Sequence, residues 1–395
     1  MTERPRAESA MQFRTRAIHV GNEPDPETGA VVRPVHMAAT YVQPGAGDWG
    51  PFDYSRSGNP TRKAFETTLA SLESGTAALG FASGMAAIHC AAMLLAPGEH
   101  LLAGTDIYGG TYRLLKKIVQ PSGVEVTLAP STDLAAFEAA FTPRTKLVWI
   151  ESPGNPLLSI TDVAACAEMA RRHGALLGVD NTFATPVLTR PLELGADLVM
   201  HSATKYLGGH SDVLGGALVV GDRALYDRLY FIQNATGAVM APWEAFLCSR
   251  GMKTLELRVL EQCRTAAVLA DWLTAHPRVA KVFYPGLPGH AGRDVAAQQM
   301  HGGFGAIVSF EVAGDFAAAK QVVESTRLFQ LAVSLGAVES LIEQPAAMSH
   351  ASYDRRDRLA HGIGDGLIRL SVGLEAPEDL RADLDQALER VRSGP

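Results

Sequence analysis

Cysteine is scarce in this chain. Cys90, Cys166, Cys248 and Cys263 lie far apart, with no C-x-x-C pair. That spacing speaks against a disulfide framework or a thiolate metal site and for small buried hydrophobes in a reducing compartment. Runs of basic residues and basic helices are missing, and the net charge is −7, so neither nucleic acid nor an anionic membrane is an expected partner. No long apolar run survives either. The least polar stretch, Ala77 to Ala96, is broken by Ser83, Gly84 and His89, and falls short of a membrane span. The first ten residues are polar, lack the apolar centre of a signal peptide and read as a disordered start. Cytoplasm is the expected compartment. Three nucleophile or phosphate motifs are also absent: a G-x-S-x-G elbow, a G-x-x-x-x-G-K-[ST] loop, and a G-x-G-x-x-G after the first strand. The last absence argues against a nucleotide-binding oxidoreductase, which an alternating strand–helix pattern alone would allow. His201 and His210 lack a third ligand and a compact metal spacing, so no metal is expected.

What remains is a soluble globular composition, 47% hydrophobic and 19% charged over 395 residues, long enough for two or more cores. Residues 1–55 read as an extended, Gly- and Pro-rich arm. Helical spacing begins at Pro60–Leu72 and returns at Met85–Leu95. Strands and helices then alternate: His100–Ala103, Val124–Leu128, Lys146–Ile150, Ala175–Val179, Asp197–Met200 and Ala217–Val220 are near-continuous apolar runs. Such runs predict an α/β fold with a mostly parallel sheet covered on both faces. The pattern changes near residue 250. A long helix over Leu255–Ala275 leads to a strand at Ala306–Val312, a helix at Phe316–Ser325 and a late strand at Leu367–Val372, a smaller α+β unit. The expected organisation is therefore an arm (1–55), a cofactor-binding domain (56–250) and a C-terminal domain (251–395).

The residue with the most chemistry is Lys205, in HSATKYLGGHSD (His201 to Asp212). It follows the apolar run ending at Met200, where open α/β sheets place their ligands. Alone it would read as a solvated lysine; its amine can also condense with an aldehyde, the way pyridoxal phosphate is anchored. Asp180 ends a second apolar run 25 residues upstream. It reads either as a helix N-cap or as the acid partner of a pyridine nitrogen, worth about 1.4–4 kcal/mol toward the protonated ring. Ser83-Gly84-Met85 lies between a short strand and a helix. It is either a plain cap or a cradle for a phosphate dianion, with the Ser202 and Thr204 hydroxyls facing it. Tyr108, in a Gly-softened loop, is a candidate to stack on the ring and move protons. Tether, acid, cradle and aromatic are the set that pyridoxal 5'-phosphate needs.

Several longer segments carry a family resemblance: YSRSGNPTR (Tyr54 to Arg62), FASGMAAI (Phe81 to Ile88), DIYGGTYR (Asp106 to Arg113), ESPGNP (Glu151 to Pro156), VDNTFATP (Val179 to Pro186), HSATKYLGGHSD, SLGAVESLIEQPAAMSH (Ser334 to His350) and IRLSVGLE (Ile368 to Glu375). Over about residues 13–390 the chain resembles the cysteine/methionine-metabolism enzymes that use pyridoxal phosphate. That family includes cystathionine γ-synthase, cystathionine γ-lyase and methionine γ-lyase. The resemblance implies the fold type I transferase architecture and a homotetramer of two dimers. Tyr54 and Arg56 would then grip the neighbouring subunit's cofactor phosphate, and planar bidentate recognition of an oxyanion is a sound use for an arginine. Arg369 would hold the substrate α-carboxylate with Asn155 and Ser334. Asp53 and Glu339 match acidic positions that can face a distal ammonium; each reads equally as a solvated carboxylate.

The family mechanism implies further roles. Lys205 would remove the Cα proton and shuttle protons at Cβ, and Tyr108 would protonate the departing γ-substituent. The path then forks between thiol addition at Cγ, as in a synthase, and release of a 2-oxo acid with ammonia, as in a lyase. Gly110 stands where methionine γ-lyases carry cysteine. Val333 stands where cystathionine enzymes carry glutamate, Ala337 where glycine is usual, and His36-Met37 in place of Tyr-Gln. A γ-lyase for methionine, homocysteine or a γ-oxygen-linked amino acid is the alternative within the family.

Overall fold

The computed structural model describes residues 11–351 and 354–391, apart from the side chains at 357 and 360; the expected disordered start at residues 1–10 lies outside this range. Seven strands form the larger sheet: β1 (Ala77–Phe81), β2 (His100–Gly104), β3 (Glu125–Ala129), β4 (Thr145–Glu151), β5 (Leu176–Asp180), β6 (Leu198–His201) and β7 (Gly216–Val220). Their spatial order is β1-β7-β6-β5-β4-β2-β3. All neighbours are parallel except β7, which runs antiparallel to both β6 and β1.

The near-continuous apolar character of these strands has a direct cause. Along β4 the side chains alternate between two cores: Leu147 and Trp149 pack with Phe81, Ile88 and Leu101 on one face. Val148 and Ile150 pack with Leu177 and Val179 on the other. A strand buried on both sides has no room for the polar half of the period-two pattern. The strand order reverses between β2 and β4, so the carboxyl ends of β4, β5 and β6 open beside a crevice that loops from β2 can enter.

The smaller sheet contains β8 (Val279–Phe283), β9 (Ile307–Val312), β10 (Gln330–Leu331), β11 (Leu341–Glu343) and β12 (Leu367–Ser371), in the order β10-β11-β12-β9-β8. It is antiparallel except for the β10–β11 pair. The helix Leu255–Thr274 joins the two units. Its Leu255, Val259 and Cys263 belong to the core beneath the larger sheet, whereas Ala266, Leu269 and Leu273 pack against the smaller one. A change of pattern near residue 250 therefore precedes a helix that serves both units, rather than a free linker.

Two differences from the sequence expectations are local. The arm contains a short helix, Phe13–His19, that buries only Ala17; seven residues carry too few apolar positions to show a period. The helix expected at Met85–Leu95 runs from Gly84 to Ala92, because Ser83 caps its start and Ala96-Pro97-Gly98 turns the chain away soon after its end.

Candidate active site

Strand ends supply the polar floor of the site. Glu151 closes β4 and Asp180 closes β5, and the two are register partners on adjacent parallel strands. Both are buried, and burial pushes each carboxyl above its usual range. For Glu151 the nearby Asp180 charge adds to that rise, partly opposed by the hydrogen bond from the Tyr108 N–H at 2.8 Å. For Asp180 the hydrogen bonds from Thr182 oppose it; the Thr182 N–H donates to Oδ1 at 3.0 Å. No ion pair among the described residues includes Asp180, so a buried acceptor faces the cavity without a cation.

The opposite rim is a helix start. Ser83 caps the helix Gly84–Ala92, its hydroxyl accepting from the Ala86 N–H at 3.1 Å. The turn at Gly84 packs closely: a Cβ there would lie 2.8 Å from Met200 Cε and 3.1 Å from Ser202 Cβ. The first-turn N–H groups thus open toward Ser202, whose own N–H donates to Thr182 Oγ1 at 2.9 Å. Thr204 is held by the Gly215 N–H and carbonyl, at 3.0 and 3.2 Å.

Lys205 projects into the same space. Its Nζ donates to Ser334 Oγ at 2.7 Å. Burial, followed by the charge of Arg369, lowers its pKa to about 8, with Glu343 pulling the other way. Ser334 has φ 107°, a region that costs a non-glycine residue roughly 1–3 kcal/mol. That conformation lets one residue offer its hydroxyl to Lys205 and its carbonyl to Arg369, whose Nη2 donates to it at 2.9 Å. Arg369 on β12 also donates from Nη1 to Asn155 Oδ1 at 2.8 Å and forms an ion pair with Glu343 at 3.0 Å.

A cavity of about 330 Å³ joins these groups. Of the residues singled out from the sequence, Ser83, Gly84, Met85, Tyr108, Asn155 and Asp180 line it. Ser202, Thr204, Lys205, Ser334 and Arg369 complete that set. Four do not line it. Asp53 and Tyr54 lie on the arm, with Tyr54 about half exposed. Arg56 donates to the Asn234 carbonyl at 2.6 Å and side chain at 2.9 Å. Glu339 accepts from Ser211 at 3.4 Å. A larger cavity, about 430 Å³, lies under the arm beside Arg33, His36 and Lys253, and contains none of the expected residues.

Sequence reasoning missed Glu151, Thr182 and Glu343, all of which line the 330 Å³ cavity. For Glu151 a signal was available: it ends the apolar run Lys146–Ile150 as Asp180 ends its own. Glu343 sits inside an apolar segment, with no local pattern to mark it.

The cavity suits pyridoxal 5'-phosphate on its own chemistry. It combines a lysine whose amine is neutral far more often than usual, a buried carboxylate with no ion pair among the described residues, and a helix N-terminus that starts at a glycine packed against Ser202. Fold and site together define a pyridoxal phosphate-dependent α/β enzyme. The chain belongs to the Cys/Met metabolism PLP-dependent enzyme family, whose model matches residues 14–389. It is 50% identical over 376 residues to a cystathionine beta-lyase of Coxiella burnetii, covering 95% of this chain and 97% of that one. It is likewise 50% identical over 376 residues to a cystathionine gamma-synthase of Mycobacterium leprae, covering 95% and 96%. The solved cystathionine gamma-lyase of Lactobacillus plantarum, complexed with L-serine, superposes with a TM-score of 0.94 at 47% identity, covering 96% of this chain and 99% of that one. No helix among the described residues is long and apolar enough to cross a membrane.

Proposed function

We propose that this enzyme carries out γ-elimination or γ-replacement on γ-substituted L-amino acids in trans-sulfuration, as a cystathionine γ-lyase or cystathionine γ-synthase. The observation that carries the reading is the bridge Lys205–Ser334–Arg369. It sets a proton-transferring amine one residue away from a guanidinium whose Nε has no partner among the described residues. An L-amino acid whose carboxylate lies on Arg369 therefore presents its Cα toward Lys205.

When bound, pyridoxal phosphate supplies an electrophilic aldehyde and an electron-withdrawing ring. Lys205 would hold it covalently. Its amine, poised near neutrality, would take the substrate Cα proton and return protons at neighbouring carbons. Asp180 would keep a proton on the ring nitrogen. The N-terminus at Gly84 and Met85, with Ser202 and Thr204, binds the phosphate. Tyr108, on the loop that Glu151 holds, would lie against the cofactor ring and protonate the leaving group. Arg369 and Asn155 orient the substrate carboxylate.

Tyr54 and Arg56 are assigned to a neighbouring subunit's phosphate. Their position outside this chain's own cavity supports that assignment, as do the exposed Val42 and Trp49 along the arm, which a partner would cover. The enzyme is thus read as a cytoplasmic homotetramer of two dimers sharing sites. Asp53 and Glu339 are kept as candidate contacts for a distal ammonium.

A second reading has a specific observation behind it. Val333 lines the cavity and is 58% exposed, an apolar surface suited to the thioether of methionine or to homocysteine. Gly110 supports the first reading: a Cβ there would lie 2.4 Å from the Tyr108 ring, so a cysteine would displace that ring. Assays of the holoenzyme with cystathionine, O-succinylhomoserine plus cysteine, O-acetylhomoserine plus cysteine, methionine and homocysteine separate the two. Cystathionine cleavage or synthesis with the highest kcat/KM is expected; a kcat/KM dominated by methionine would overturn the first reading.

A further inference from the structure

Arg369 is not a free cation awaiting a carboxylate. A guanidinium has five N–H groups. Nη1 faces both Asn155 Oδ1 and Glu343 Oε1, and Nη2 gives one bond to the Ser334 carbonyl. Nε has no partner among the described residues, and Nη2 has one further N–H. Glu343 is the antiparallel register partner of Arg369 across β11 and β12. It is 1% exposed and Arg369 is 4% exposed. Glu343 Oε1 also accepts from the Ser349 hydroxyl at 2.8 Å, and its Oε2 has no partner among the described residues. Without substrate the pair is electrically neutral and its orientation is set. A substrate carboxylate would be a second anion on one guanidinium.

We propose that Glu343 is the standing counter-ion of Arg369: it positions the guanidinium, and its charge weakens the site's hold on the substrate carboxylate. This rests on Arg369 being the carboxylate clamp. A buried arginine with no anion would bind any carboxylate tightly and release products slowly, because a lone charge in a dry site is costly. With Glu343 in place, an incoming carboxylate gains bonds to Nε and Nη2 but meets a like charge. Two carboxylates on one guanidinium lie about 5–6 Å apart. At an effective dielectric constant near 20 their repulsion exceeds a tenfold effect on affinity, and water at the cavity mouth reduces it to roughly tenfold. Glu343 touches Arg369 rather than the reacting atoms, so it is a positioning residue.

The test uses the holoenzyme and propionate, an inert carboxylate, as competitive inhibitor. In Glu343→Gln an amide oxygen keeps the contact with Nη1 while the charge is lost. The propionate inhibition constant and the substrate KM are expected to fall about tenfold, with kcat changed less than about threefold. Ser349→Ala keeps the charge but removes a donor that disperses it, so propionate should bind about two- to threefold more weakly. The opposite sign separates charge from simple loss of structure, and this second variant decides the matter if the first does not fold. Unchanged or weaker propionate binding in a folded Glu343→Gln overturns the inference, as does unchanged or tighter binding in Ser349→Ala. Arg369→Leu isolates the underlying reading. If it leaves propionate inhibition and KM intact, the clamp itself is wrong. If it abolishes both while Glu343→Gln fails to tighten binding, only the role of Glu343 is wrong.

Discussion

The lowered proton affinity of Lys205 can be read in the capture of the cofactor. Only the neutral amine attacks an aldehyde. An ordinary lysine with a pKa of 10.5 has about 0.03% of its amine neutral at pH 7, whereas one at about 8 has about 9%. The gain is roughly 300-fold. Its causes rank as burial, then Arg369, with Glu343 opposing, so the sign of each variant follows. Apoprotein mixed with pyridoxal 5'-phosphate should show a capture rate that rises with pH and levels off above about 8. Borohydride trapping and mass measurement of the peptide bearing Lys205 supply the assay. Glu343→Gln removes an opposing anion and should move the midpoint to lower pH. Arg369→Leu removes a repelling cation and should move it to higher pH. Lys205→Ala should abolish capture and turnover. A midpoint in the ordinary lysine range above pH 10, or equal trapping in Lys205→Ala, would refute the assignment of the burial-activated amine.

Asp180→Asn should retain cofactor but lower kcat about 10- to 1000-fold, the range set by 1.4–4 kcal/mol of ring-nitrogen stabilisation; a change under threefold in steady-state turnover contradicts that role. Arg56→Ala should increase cofactor loss in equilibrium dialysis, and unaltered retention would count against the cross-subunit phosphate contact. Gly216→Ala would put a Cβ 2.2 Å from the Ser83 carbonyl oxygen and 2.5 Å from its carbon. These are backbone atoms that cannot rotate away, so a loss of about 1–3 kcal/mol in thermal or urea unfolding is expected, along with weaker cofactor binding as the Ser83–Gly84 turn shifts. Gly221→Ala, which meets nothing within 4 Å, should be nearly neutral, and equal effects of the two would refute the steric argument.

Much of the larger sheet was legible because its signals are local. Continuous apolar runs mark β2 and β4 to β7 as strands buried on both faces, and Asp180 and Lys205 stand out as polar groups placed just after such runs. A helix start at Ser83-Gly84 is visible from small residues between two apolar segments. Short elements were not legible: Phe13–His19 and the two-residue β10 are too brief to establish a period. Glu151 occupies the same place after its strand as Asp180 does, yet only the β4–β5 register puts the two carboxylates side by side, where burial raises both pKa values and the Asp180 charge raises that of Glu151 further.

By itself the sequence determined the strand–helix alternation, the lysine and aspartate at strand ends, and the family, since each depends on residue types at short, fixed spacing. Tertiary structure alone decided that Arg369 already has an anion beside it, that Ser334 joins Lys205 to Arg369 through a left-handed backbone, and that Tyr54 and Arg56 stay outside the cavity. The contacts among Lys205, Ser334, Glu343 and Arg369 join residues 26 to 129 apart in the chain. Hydrophobic periodicity reports which face of an element is buried; which charged groups meet there depends on strand register and sheet docking, where contact distance replaces sequence distance.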